Sequence, residues 1–322
     1  MAENKLYFYS SSPHVKSKTS TRFIMGNVCI ALLPTLIAGT IFFGWMALLF
    51  VAISVASAIL SELVYLLICK KTFKYFMDNF DFTSIVTGLL VGLSLGVNYP
   101  LYAGAFGSAF AIIVVKMLFG GTGKNIVNPA VAGRIFVFIS FQSIVGKWIV
   151  PGGELITGAT TLTNLFQNGF SGNLLDLFLG VGLEGCIGET CKLALILGAI
   201  YLAILKIIDI RLPLIYVAVT GLFQTCLMGF DFNLFLPSIL SGGLILGAFF
   251  MATDYVTTPN TKIGNYVYFV ALGLVTAGLR VATGMEVVSF AILLMNLFVP
   301  LIDKFIRPRP FGFKKTSKGG GK

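Results

Sequence analysis

Three short stretches of the chain combine ligand-holding or reactive side chains with glycine and proline. PGGELITGATTLTN, residues 151–164, carries Thr157, Thr160, Thr161 and Thr163. Their hydroxyls can be esterified, or they can simply satisfy an ordinary polar turn. GGTGKNIVNPA, residues 120–130, sets Gly120, Gly121 and Gly123 before Asn125 and Asn128. A glycine-rich turn exposes backbone N–H groups that hold an anion or a ring edge, and two Asn three apart share a helical face. The same residues also read as a capped helix entrance. No strand pattern precedes the glycines, so a dinucleotide fingerprint does not apply. MATDYVTTPN, residues 251–260, puts Asp254 between Thr253 and Thr257 in an apolar context. A carboxylate there serves as ion ligand, proton relay or helix N-cap.

The elements that must position these groups follow from composition. Of 322 residues, 57% are hydrophobic and 11% charged, with a mean hydropathy of +0.92. Soluble domains carry roughly 25% charge, and a surface this apolar would be one large sticky patch in water. A soluble protein, a disordered chain and a collagen-like repeat are excluded, leaving an all-α integral membrane protein. The net charge of +10 then reports loop topology, and nucleic acid is not needed to explain it. The five cysteines show no zinc spacing. Cys186 and Cys191, close together in GCIGETC, leave an iron or disulfide role open beside simple packing. The polar start followed by a long apolar run reads as a cytoplasmic arm, since a cleaved signal has a shorter apolar core.

Windows of about 20 apolar residues predict ten spans: 23–43, 45–69, 82–97, 101–119, 130–146, 189–208, 212–229, 235–252, 264–283 and 286–303. With the N-terminus inside, 20 of the 23 basic residues fall on the inner side and only Lys147, Lys192 and Arg280 outside, which predicts both termini cytoplasmic. The predicted organisation is an arm (1–22), a five-helix repeat (23–146), an outer loop region (147–188), a second five-helix repeat (189–303) and a basic tail (304–322). VTGL occurs at 86–89 and again at 219–222. Each copy is followed by a proline-bearing loop, a small-residue helix and a polar break. The offset near 130 residues, taken as five spans, predicts inverted repeats with broken helices, an architecture that builds sites at the membrane midplane. Glu62, Glu189 and Asp303 also lie within or at the ends of spans, where a place at headgroup level is the plain reading.

TGAT at 157–160 resembles the flavinylation motif D-x-x-S/T-G-A-T of the RnfD and NqrB membrane subunits, found in Rnf complexes and sodium-pumping NADH:quinone oxidoreductases. SSPHVKSKTSTRFIMGNV (11–28), GGTGKNIVNPAVAGRIF (120–136), GCIGET (185–190) and MATDYVTTP (251–259) look like family blocks in the family's order. The resemblance covers nearly the whole chain. Glu154 stands where the motif usually has Asp, and Thr161 where many members have Pro. The short N-terminal arm is closer to RnfD than to NqrB.

The resemblance implies FMN bound covalently to Thr160 through a phosphoester, with Thr157, Gly158 and Ala159 completing the motif read by a flavin transferase. It also implies a second, non-covalent flavin, riboflavin, for which Asn125 and Asn128 are the candidates, and it leaves Asp254 as an ion-pathway residue. The expected function is electron transfer within an Rnf-type ferredoxin:NAD+ oxidoreductase that exports Na+ or H+, in a prokaryotic cytoplasmic membrane. The expected partners are flavin- and iron-sulfur-bearing subunits and membrane lipid. This chain would complete no reaction alone. A cofactor-free solute carrier or channel on the same repeat, or the quinone-reducing complex's own subunit, are the alternatives. Thr160 discriminates the carrier.

Overall fold

The computed structural model describes residues 19–144, 147–149, 155–157, 161–169 and 172–307. The described residues are almost entirely helical: α1 (Thr21–Phe43), α2 (Trp45–Ile68), α3 (Phe73–Asn79), α4 (Thr83–Leu93), α5 (Leu101–Phe110) and α6 (Pro129–Ser140) come first. A two-stranded antiparallel hairpin follows, β1 (Lys147–Ile149) on β2 (Leu155–Thr157), with Lys147 opposite Thr157. Then come α7 (Thr161–Asn168), α8 (Leu174–Leu179), α9 (Lys192–Ile204), α10 (Arg211–Leu227), α11 (Phe235–Leu240), α12 (Leu244–Leu246), α13 (Lys262–Thr283) and α14 (Val288–Phe305). α5 and α12 run on as π-helical turns, Ala111–Met117 and Gly247–Met251.

Four helices, α1, α2, α13 and α14, are long and apolar enough to cross a membrane alone. A bent pair, Phe232–Leu240 with Leu244–Met251 at 67°, makes a fifth. Five further apolar helices are shorter than a full span, including α4 and α6. Their faces explain the composition. Ile41, Trp45, Ile68 and Ile204 are each more than 70% exposed, which suits hydrocarbon and not water. Inside, small residues let backbones approach. Gly88 and Gly92 on α4 lie against Val55 and Val51 of α2, where a Cβ on Gly88 would fall 2.6 Å from the Val55 Cα. This is the small-residue packing that membrane helices favour, since apolar side chains gain little by leaving lipid.

The bundle has two ends. At one, α4, α6 and α13 begin, and both π-helical turns finish in polar breaks. At the other, the backbone N–H groups of Ile187 and Gly188 bond the carbonyls of Leu95 and Leu93 at the C-terminal end of α4 (3.1 and 2.7 Å). The two VTGL copies sit in α4 and α10, and both helices run from the break end to the other. Only three apolar segments lie between them, because residues 141–191 hold no long helix among those described. These copies therefore run in parallel, and the inversion expected from their spacing does not follow from them.

Candidate functional site

The two breaks meet. Asn128 N-caps α6, its Oδ1 accepting from Ala130 N (2.9 Å) and Val131 N (3.4 Å). Capping uses only the oxygen. The amide nitrogen donates to Met251 O in the second break, 2.9 Å away. Asn296 of α14 closes the junction, accepting from Asn128 N (3.1 Å) and donating to Thr257 O (3.3 Å) and the Tyr268 hydroxyl (2.8 Å). Asn125 donates to Val127 O (3.0 Å) and lies beside Asp254. Asp254 accepts from Thr257 Oγ1 (3.2 Å) and caps its own turn. It does not N-cap α13, a task done by Thr261, which accepts from Gly264 N (3.0 Å). The structure thus brings three sequence-predicted residues, Asn125, Asn128 and Asp254, to one place.

Between the breaks lies a cavity of about 110 Å³ that opens to the outside. Its walls are mostly apolar, among them Val86, Leu90, Phe249 and Phe250. The polar groups are few, chiefly Thr83, Thr87, Lys116, Asn125, Asn128 and Asp254. Apolar walls with a few placed donors and acceptors suit a flat heterocycle with a polar edge.

One wall carries a buried ion pair built from residues that lie near segment ends in the sequence. Lys116, in the π-helical turn and 3% exposed, donates to Glu62 Oε1 (3.0 Å), Thr83 Oγ1 (2.6 Å) and Ser84 Oγ (3.3 Å). Ser84 in turn bonds the other Glu62 oxygen. Asp81, just before α4, accepts from Thr83 Oγ1 (2.5 Å) and Thr122 Oγ1 (2.8 Å). Burial pushes the Asp81 carboxyl up, but the Lys116 charge and these hydrogen bonds outweigh it and hold the group below the usual carboxylate value. Phe82 between them takes a left-handed backbone, φ 65°, a strained conformation for a bulky residue.

At the opposite end a second charge cluster is buried. Arg280, fully buried, donates to Ser238 O (3.0 Å), Ser241 O (3.3 Å) and Glu286 Oε2 (2.7 Å). Lys192 donates to Glu189 O, Cys186 N donates to Glu189 Oε1 (2.9 Å), and Arg134 reaches Cys186 Sγ (3.8 Å). Both carboxylates press on the helix break. A Cβ on Gly242 would collide with Glu286, and one on Gly243 would lie 2.5 Å from Glu189 Oε2. Glu62 and Glu189 are therefore packed inside the bundle. Arg134, counted inside, shares this cluster with Lys192 and Arg280, counted outside, so these three charges report packing and not loop topology. Asp303 does lie near a surface, accepting from Asn260 N (3.0 Å) and Nδ2 (2.8 Å). A single Lys or Arg within an otherwise apolar run was the signal available for Lys116 and Arg280.

Gly158, Ala159 and Thr160 lie outside the described residues, as do 1–18, and of Thr157 only the strand backbone is described. The helix that follows the motif is anchored: Thr163 Oγ1 donates to Gly284 O (2.8 Å), and Leu162 and Leu165 pack on Leu234. All five cysteines are free. No cluster of His, Cys, Asp and Glu able to hold a metal occurs among the described residues.

Residues 8–312 match the model of the NQR2, RnfD, RnfE family. Among curated proteins, the chain is 42% identical to the D-type subunit of the Na(+)-translocating ferredoxin:NAD(+) oxidoreductase complex of Acetobacterium woodii, over 96% of each chain. It is 34% identical to the proton-translocating counterpart of Clostridium ljungdahlii, over 97% of this chain and 98% of that one. It is 33% identical to the D-type subunit of an ion-translocating oxidoreductase complex of Alcanivorax borkumensis, over 96% and 98%.

Proposed function

The chain belongs to the NQR2, RnfD, RnfE family, and on that premise we propose that it is the D-type membrane subunit of an ion-translocating ferredoxin:NAD+ oxidoreductase. It passes single electrons between flavins and iron-sulfur partner subunits, coupled to translocation of Na+ or H+. The observation that carries this reading is the near full-length match to subunits of such complexes, on a chain that retains TGAT at 157–160.

Thr160 carries FMN through a phosphoester installed by a flavin transferase that reads Thr157, Gly158 and Ala159. FMN supplies one-electron transfer, and the covalent tether retains it at an exposed site. Thr163 and the leucines of α7 anchor the helix that follows the motif.

Riboflavin, bound without a covalent link, occupies the cavity between the breaks. Asn125, Thr83 and Thr87 would hold its polar edge, and Phe249 and Phe250 would supply apolar lining. The Asn128 amide is committed to α6 and Met251, so it shapes the pocket more than it binds. Asp254 lies on the ion pathway at the cavity wall. The ten apolar segments are ten passes in a prokaryotic cytoplasmic membrane. Five passes per half, an odd number, give the halves opposite orientations and leave both termini cytoplasmic with the Thr160 loop outside.

The test uses the chain expressed with its complex in a host that has the transferase. Under ultraviolet light the denatured band fluoresces in a gel, and Thr160→Ala abolishes the signal. An unlabelled wild-type band returns the reading to a cofactor-free carrier.

A further inference from the structure

A cluster of cations stands where α2 hands over to α3. Lys70, Lys71 and Lys74 fall within five residues and all three are exposed. None of them forms an ion pair among the described residues. Arg22 of α1 joins them, donating to the backbone carbonyl of Asp78 near the end of α3. Asp78 is the one carboxylate between Leu67 and Asn79. The negative end of the α2 dipole favours a basic residue here. Lys70 already supplies it from the left-handed position (φ 60°) where the Lys71 N–H closes the helix on Leu66 O (3.0 Å). Lys71, Lys74 and Arg22 exceed what the helix end requires.

The apolar side chains around these cations are uncovered too. Leu67 and Ile68 end α2 exposed, and α3 presents Phe73, Tyr75 and Met77 while burying Phe76. The Phe76 ring packs on Phe80 (centroids 5.2 Å apart), and Phe80 on Phe82 (5.5 Å), which ties α3 to the turn before α4. The Lys71 ammonium lies 5.0 Å from the centre of the Tyr75 ring. A short helix that exposes rings and aliphatic chains among lysines, directly after a membrane span, suits the boundary between hydrocarbon and headgroups. The apolar groups enter the edge of the acyl layer and the ammonium groups reach the headgroups. Clustered cations repel one another beside zwitterionic headgroups, whereas a headgroup with net negative charge relieves that repulsion.

We propose that α3 and the turn before it bind an anionic phospholipid of the leaflet at the break end. Lys70, Lys71 and Lys74 hold its phosphate, and Ile68, Phe73 and Met77 meet its acyl chains. Free phosphate would satisfy the ammonium groups alone, so a lipid is the occupant that uses both halves of the surface.

The experiment is native mass spectrometry of the purified, delipidated complex titrated with phosphatidylglycerol, and in parallel with phosphatidylcholine of the same acyl chains. Wild type holds phosphatidylglycerol more tightly, and added salt narrows the difference. Changing Lys70, Lys71 and Lys74 together to Gln weakens the tightest phosphatidylglycerol site about fivefold for each lysine removed and leaves phosphatidylcholine unaffected. The same three residues changed to Arg retain the site. A control with Lys206, Lys262 and Lys304 changed to Gln, which removes equal charge from other exposed lysines, retains it as well. The proposal is overturned if the first triple variant binds phosphatidylglycerol like wild type, or loses no more than the control does. Displacement of the lipid by millimolar inorganic phosphate would show a plain anion site and overturn it too. So would a triple variant that keeps its lipid but sheds a subunit of the complex, since the surface would then dock protein.

Discussion

The side-chain amide of Asn128 donates to the backbone carbonyl of Met251, 123 residues further along the chain and 2.9 Å away. One residue therefore caps a helix in the first half and pins the break in the second. The cavity exists because these two interrupted segments end side by side.

Removing that residue tests the junction. Asn128→Ala loses the cap and leaves Met251 O unpaired, at a cost of about 1–3 kcal/mol, and the non-covalent flavin content drops. Asn128→Asp keeps the cap acceptor but not the donor, so it recovers stability more than flavin. Thermal unfolding in detergent and flavin extraction read the two effects separately.

The buried pair at the opposite end makes a sharper prediction. Arg280→Met leaves Glu286 uncompensated against Gly242, a change that typically costs about 3–5 kcal/mol, and the complex assembles poorly. Adding Glu286→Gln removes the stranded charge and restores part of the loss. Unfolding midpoints of the single and double variants check the coupling.

Asp81 gives the chain a pH dependence of defined sign. Its carboxyl titrates lower in the folded chain than in the unfolded one, so its contribution is fully present above the unfolded value of about 4 and is lost as pH falls through the lower folded value. Asp81→Asn removes that contribution, so stability falls at neutral pH, is little changed in acid, and the acid limb of the stability curve flattens. Denaturation midpoints followed downward from neutral pH show whether the limb flattens.

Close helix approach is equally testable. A methyl at Gly88 would meet the Val55 backbone at 2.6 Å, and backbone cannot rotate away. Gly88→Ala is expected to cost about 1–3 kcal/mol by overpacking, whereas Gly278→Ala, with open space around it, is expected to be neutral. Comparing their thermal midpoints isolates the α2–α4 contact.

Much of this architecture was legible in the residues. The apolar windows fall on apolar helical segments, since hydropathy reports burial in lipid or protein directly. The breaks at 120–129 and 251–260 were visible because glycine, proline and asparagine interrupt those runs. Full-length spans and short helices were not distinguishable, because a half-span inside a bundle is as apolar as a whole one. Lys116, Arg134, Lys192 and Arg280 were counted as loop charges for a related reason. Each lies near a segment end in sequence, and only the packed fold shows that its partner, Glu62 or Glu286 for two of them, waits inside. The hairpin before TGAT carries no alternating apolar pattern strong enough to be read as strand. The parallel course of the two VTGL copies depended on how many helices residues 141–191 contain, which an offset in residues does not give.

Thr160 is the residue on which the functional account turns. Peptide mass spectrometry of the chain from its native host, with the intact complex digested under mild acid conditions, reads that position directly. The account predicts a peptide spanning 157–160 heavier by one FMN linked through phosphate, with the modification on Thr160. An unmodified peptide, or FMN carried on Thr157, Thr161 or Thr163 instead, would contradict it.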